Sequence, residues 1–160
     1  MNLHWYSAEN LHEIRKGTAG AWISNWDIGG MVILLDKLCL FDLMDEVMTT
    51  YISQAKTENI ILNARMTVAP YKVLPQGSPL RKHALFTLYF IMSALPNNER
   101  FLTMWPLEEI QKALEHGDLR MDYLRLVGER TPAKDPRKMP RCVLHHNGEE
   151  EACSMSDSAS

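Results

Sequence analysis

The sequence predicts a mainly α-helical fold: a single-domain bundle of about five helices, with at most one minor strand and a disordered C-terminal tail. Three observations predict it. From Met31 to Ile52, fifteen of twenty-two residues are apolar, which suits a helix at the centre of a core. Ser78-Pro79 and Pro106 each place proline at a helix start, where its missing N–H costs nothing. From Thr131 to Ser160 there is no Phe, Trp, Tyr or Ile, so that stretch has little to bury against the entropy of ordering. The globular domain is therefore expected over 1–128 and the tail over 129–160.

Taken in order, Ser7 could cap a short helix through Lys16, stopped by Gly17. In GTAGAWISNWDIGG, Trp22 and Ile23 suit a helical turn with Trp26, whereas Trp26 and Ile28 suit an extended chain. The segment reads as a loop or single turn, broken by Gly29 and Gly30. Met31 to about Gln54 is the longest helix candidate, with Leu34, Leu38, Phe41, Met48 and Ile52 as one stripe. Asp45 falls on that stripe, so a bend, a break or a buried partner is expected near it. Over Ile60–Val68, apolar residues alternate with Asn63, Arg65 and Thr67. That favours a half-exposed strand over a helix continuing from Lys56. Pro70, Pro75 and Gly77 mark a loop.

Ser78 is the expected cap of a second central helix to about Ala94, with Leu80, Ala84, Leu88 and Ile91 inward. Pro106 opens a helix with Leu107, Ile110 and Leu114 inward, ended by Gly117. Asp118 caps a last helix to Val127, with Leu119, Tyr123 and Val127 spaced by four.

Composition narrows the function classes. The net charge is −3 in 160 residues, so no strong global field favours nucleic acid or membrane. The Met31–Ile52 stretch has spanning length, but Asp36, Lys37, Asp42, Asp45 and Glu46 each cost roughly 2.5–3.5 kcal/mol near a bilayer centre. No transmembrane segment is expected. Cys39 reads as a buried small hydrophobe. Cys142 and Cys153 read as exposed thiols, which suit an intracellular location, cytoplasmic or nuclear.

No catalytic signature stands out, and the chain is expected not to be an enzyme. There is no GxSxG elbow and no glycine-rich phosphate loop. His83 and His116 read as surface residues. Cys142, His145, His146 and Cys153 have metal-ligand chemistry but no second paired motif, so neither a metal nor a cofactor is expected. Asp45, if buried, is expected to sit in a structural ion pair rather than a catalytic role.

Two features point to partners. Trp22, Trp26 and Trp105 are candidate protein-binding residues, because tryptophan is enriched at binding hot spots. Arg130, Lys134, Arg137, Lys138 and Arg141 form the one basic patch, interleaved with proline. It could contact nucleic acid or an acidic partner through 130–141. Ser154 to Asp157 suits an acid-directed kinase. The sequence does not fix an oligomeric state.

Ser78–Ile91, SPLRKHALFTLYFI, resembles one helix of influenza-type matrix proteins. The Met-rich, Trp-bearing body with a short charged tail is similar to small accessory proteins of RNA viruses. These resemblances imply an interaction or regulatory factor acting on host proteins, or else a matrix-like, nucleic-acid-associated structural protein. They carry no individual functional residue across.

Overall fold

The computed structural model describes residues 27–94, 103 and 105–146, together with the backbone of 15–16 and 22–23. Arg15–Lys16 (β1) and Trp22–Ile23 (β2) pair antiparallel, with Arg15 opposite Ile23 and Lys16 opposite Trp22. The end of the expected first helix is thus extended, and the remainder of that segment lies outside the described residues. Six α-helices follow among the described residues: α1 (Ile28–Lys37), α2 (Phe41–Thr57), α3 (Ala64–Val73), α4 (Pro79–Ala94), α5 (Leu107–Leu114) and α6 (Gly117–Gly128). The chain is mainly α-helical, as its apolar spacing predicts.

Gly29 and Gly30 do not break the chain. They form the first turn of α1, because the Asp27 carboxylate accepts the Gly30 N–H at 3.0 Å and caps the helix. The long helix expected over Met31–Gln54 is two helices, parted at Cys39 rather than near Asp45. Cys39 adopts φ 54°, its N–H donates to the Asp36 carbonyl, and the Leu40 N–H donates to the Leu35 carbonyl. This pair of bonds is a Schellman ending, in which a left-handed residue satisfies the last carbonyls. Asn59 (φ 55°) ends α2 and Arg130 (φ 53°) ends α6 by the same pair of bonds. None of the three is glycine, the residue that most often announces such a stop.

The break changes which face is buried. Val32, Leu35, Met44, Met48 and Ile52 point inward, whereas Leu34 and Leu38 of the expected stripe are exposed. Cys39 is an exposed free thiol, not a core residue. Ile60–Val68 is not a strand. Asn63 accepts the Met66 N–H at 3.0 Å and starts α3, so Ala64, Thr67 and Tyr71 are buried and Met66 is not. Pro70 lies inside α3 rather than in a loop, buried together with Tyr71, and the loop begins after Val73. Tertiary burial there outweighs the lost backbone bond.

α4 matches expectation closely: Leu80, Ala84, Leu88 and Ile91 are all buried. Pro79 sets its start, but the buried Ser78 hydroxyl has no hydrogen-bond partner among the described residues and so does not cap it. On α5, Ile110 and Ala113 face inward while Leu107 is 65% exposed. Gly117 begins α6 instead of merely ending α5. On α6, Leu119 is buried and Val127 is exposed.

The core has two parts joined by α4. One, around Leu62, Leu88, Ile91, Trp105, Ile110 and Leu119, lies among α3, α4, α5 and α6. The other, around Val32, Leu35, Met44, Met48, Leu80 and Leu144, lies between α1, α2 and α4. Tyr51 packs against both.

Leu144 corrects the expectation of a disordered tail from 129. Residues 131–146 cross α2 and α4 as a strap with two 3₁₀ turns, Pro136–Lys138 and Arg141–Leu144. Pro136 and Leu144 are fully buried. Two well-placed apolar side chains and several polar anchors suffice where helical periodicity is absent, since burying one large side chain contributes roughly 1.5–3 kcal/mol. Residues 147–160 lie outside the described residues.

Candidate functional site

Three places in the fold bring chemistry together. The first joins α3, α4 and α6. Arg81 is buried. Its Nη1 donates to the Leu74 carbonyl and its Nη2 to Asp118 Oδ2, each at 3.2 Å. Its guanidinium lies 4.2 Å from the Tyr71 ring centre. Tyr71 Oη donates to Asp122 Oδ2 at 3.1 Å, and its ring meets His116 edge-on. Burial and the Asp122 carboxylate push the Tyr71 hydroxyl well above its ordinary range, so it stays a donor. Each charge has a partner, and the group ties three helices together. Its chemistry is structural.

The second place is a surface groove of about 390 Å³ between α3 and α5. Val68 and Ala113 form its floor, and Arg65, Lys72, Lys112 and Glu109 its rim. Arg65 holds Glu109 through both oxygens, at 3.0 and 3.2 Å, and Lys112 shares the same carboxylate at 3.4 Å. Those bonds hold the Glu109 carboxyl below its usual range. The Glu109 carboxylate of the groove is thus engaged by Arg65 and Lys112.

The third place is the corner between α1 and α2. Leu34, Leu38, Leu40 and Leu43 are exposed by 52%, 56%, 45% and 45%. Four large apolar side chains within ten residues, at the end of α1 and the start of α2, leave an exposed apolar stretch. The charges in this stretch are mostly acidic. Between residues 31 and 55 stand Asp36, Asp42, Asp45 and Glu46 against Lys37.

Of the tryptophans expected to bind a partner, Trp105 does not face solvent. It is fully buried, and its Nε1 donates to the Leu62 carbonyl at 3.0 Å. Its polar edge is satisfied inside the core, which suits an anchor of the fold. Trp22 contributes backbone to β2, and Trp26 lies outside the described residues.

The basic segment divides. Arg137 is committed to the fold: its Nε and Nη2 bond Asp135 at 2.9 and 2.7 Å, and its Nη1 bonds Asn59 at 2.7 Å. Arg130, Lys134, Lys138 and Arg141 are exposed.

Cys142 is disulfide-bonded, not a free thiol. His145 shares a 2.8 Å hydrogen bond with Thr49, and the His146 ring stacks on Phe41 at 3.9 Å. The His146 N–H donates to Asp45, so the half-buried Asp45 anchors the backbone of the strap. His145 and His146 thus face different partners on α2, and Cys153 lies outside the described residues. No group of three or more metal-ligating side chains occurs among the described residues. No helix among them is long and apolar enough to cross a membrane.

Sequence reading missed His83. It is 3% exposed, and neither ring nitrogen has a hydrogen-bond partner among the described residues. Burial pulls its pKa from 6.5 down to about 4, against a smaller opposing pull from Asp135. The signal was present in the spacing: His83 lies three residues after Leu80 and four before Thr87, on the buried face of α4.

No family model, no curated protein and no solved structure matches the chain.

Proposed function

We propose that this chain is a non-enzymatic protein-interaction factor that docks a partner on the leucine corner between α1 and α2. The observation that carries the reading is the exposure of Leu34, Leu38, Leu40 and Leu43, which flank the break between α1 and α2. Covering the exposed halves of four leucines is worth about 3–6 kcal/mol before association costs, enough to anchor a moderate interaction. The acidic flanks favour a partner segment that is apolar on one face and basic around it. The texture shared with small viral accessory proteins would make that partner a host protein.

A second reading rests on the exposed cations Arg130, Lys134, Lys138 and Arg141, which could hold nucleic acid. Capture of partners from nuclease-treated lysate separates the two. With Leu34→Ser and Leu38→Ser combined, the captured protein is expected to be lost while the melting midpoint stays put, because both side chains already face water. Replacing Lys138 and Arg141 by Ala is expected to change little. Binding that survives the serines, disappears with nuclease and falls with a log–log salt slope of roughly −3 to −4 would favour the nucleic-acid reading instead.

A further inference from the structure

We infer that the strap over 131–146 is an acid-released latch, with His83 beneath it as the group whose protonation opens it. His83 is buried on α4 one turn after Leu80, which shares a core cluster with Leu144 of the strap, and both 3₁₀ turns of the strap lie against α4. From α2, the Tyr51 ring meets it edge-on at 5.3 Å. From the strap, Asp135 is the carboxylate whose charge reaches it. The strap is tied to the body at points spread along its length, with Arg137 Nη1 donating to Asn59 Oδ1 at 2.7 Å among them. Tyr89 Oη donates to the Thr131 carbonyl at 2.7 Å, Pro136 and Leu144 are buried, and His145 and His146 engage Thr49, Phe41 and Asp45.

An imidazolium at His83 would be poorly served in this setting. Asp135 is already bonded three times by Arg137, through its backbone N–H, Nε and Nη2. Burial raises the Asp135 pKa, but the bonds from Arg137 outweigh it, so the carboxyl ends below its usual value and is committed to that cation. Burial pushes the Tyr51 hydroxyl up to about 12, so it remains neutral throughout and supplies no countercharge. Neither imidazole nitrogen has a partner to lose when the strap lifts, while water outside would solvate the charged ring. Protonation therefore favours the arrangement in which the strap no longer covers α4.

The sign follows from linkage. The uncovered ring takes its proton near 6.5 and the covered ring near 4. The open state binds more protons, so closure is fully favoured above about pH 6.5 and weakens as pH falls toward 4. With those two values, opening becomes about 25-fold more populated on going from pH 7.5 to pH 5.

The test uses the full chain with its disulfide intact and reads amide hydrogen exchange, corrected for intrinsic rates, at pH 7.5 and pH 5. Protection across 131–146 is expected to fall about 25-fold, while α5 and α6 keep theirs. His83→Phe, which fills the space without a titrating group, is expected to make strap protection independent of pH. His145→Gln combined with His146→Gln is expected to retain the pH dependence. Should His83→Phe fold poorly, an NMR titration of the His83 ring in the unmodified chain decides, with a midpoint far below 6.5 expected. Strap protection indifferent to pH, persistence of the pH dependence in His83→Phe, equal loss in α5 and α6, or a His83 midpoint near 6.5 would each overturn the latch.

Discussion

The two halves of the core are closed in different ways. Among α3, α4, α5 and α6, helices cover one another, and the bulky or charged members carry their own hydrogen bonds: Trp105 to Leu62, Tyr71 to Asp122, Arg81 to Leu74 and Asp118. Between α1, α2 and α4, the cover is an irregular strap whose apolar plugs are Pro136 and Leu144. The first half is closed by α5 and α6 lying against α3 and α4. The second depends on a few side chains projecting from a backbone that forms only two short 3₁₀ turns. Stability should therefore be concentrated in the first half, and local opening in the second.

Trp105→Ala probes the first half hardest. Removing a fully buried tryptophan typically costs about 3–5 kcal/mol, and here the Leu62 carbonyl loses its partner as well. Against a total of about 5–15 kcal/mol, chemical denaturation should show a largely unfolded or severely weakened protein. A loss below about 1 kcal/mol would mean that this half is not the stronger one.

Leu144→Ala is the matching change in the second half. A cost of about 2–3 kcal/mol is expected, near the lower end for a buried leucine because an irregular strap can settle into the space. The loss should appear first as faster exchange over 131–146, with α5 and α6 still protected. Removal of residues 131–160 altogether should lower the melting midpoint by more than about 5 °C. An unchanged midpoint would show that the strap contributes nothing to this half of the core.

The same contrast governs how much was legible in the sequence. α4 could be read because periodicity and burial coincide at Leu80, Ala84, Leu88 and Ile91. The strap could not, because no helical or strand period runs through Pro136 and Leu144. Trp105 was legible as an important aromatic but not as a core residue, since nothing in its neighbours reveals the carbonyl waiting for its indole N–H. For the candidate site, the leucine corner was hidden by the break between α1 and α2. Read as one continuous helix, Leu34 and Leu38 belong to a buried stripe. Turned by the break, they face out.

That break also gives the subtlest prediction. Cys39 occupies a left-handed conformation, φ 54°, in which an L side chain costs roughly 1–2 kcal/mol and glycine does not. Its thiol is free and exposed, so removing it sacrifices little packing. Glycine gives back part of the gain through the greater entropy it loses on folding. Cys39→Gly should therefore stabilise the chain by about 0.5–1 kcal/mol, seen as a rise of a few degrees in the melting midpoint. Asn59→Gly should gain less, because asparagine tolerates this conformation better and its Oδ1 accepts from Arg137. A clear loss of stability in Cys39→Gly would argue that α1 and α2 run on as one helix in solution. In that case the leucine corner would be turned back toward the core, and the proposed docking surface would go with it.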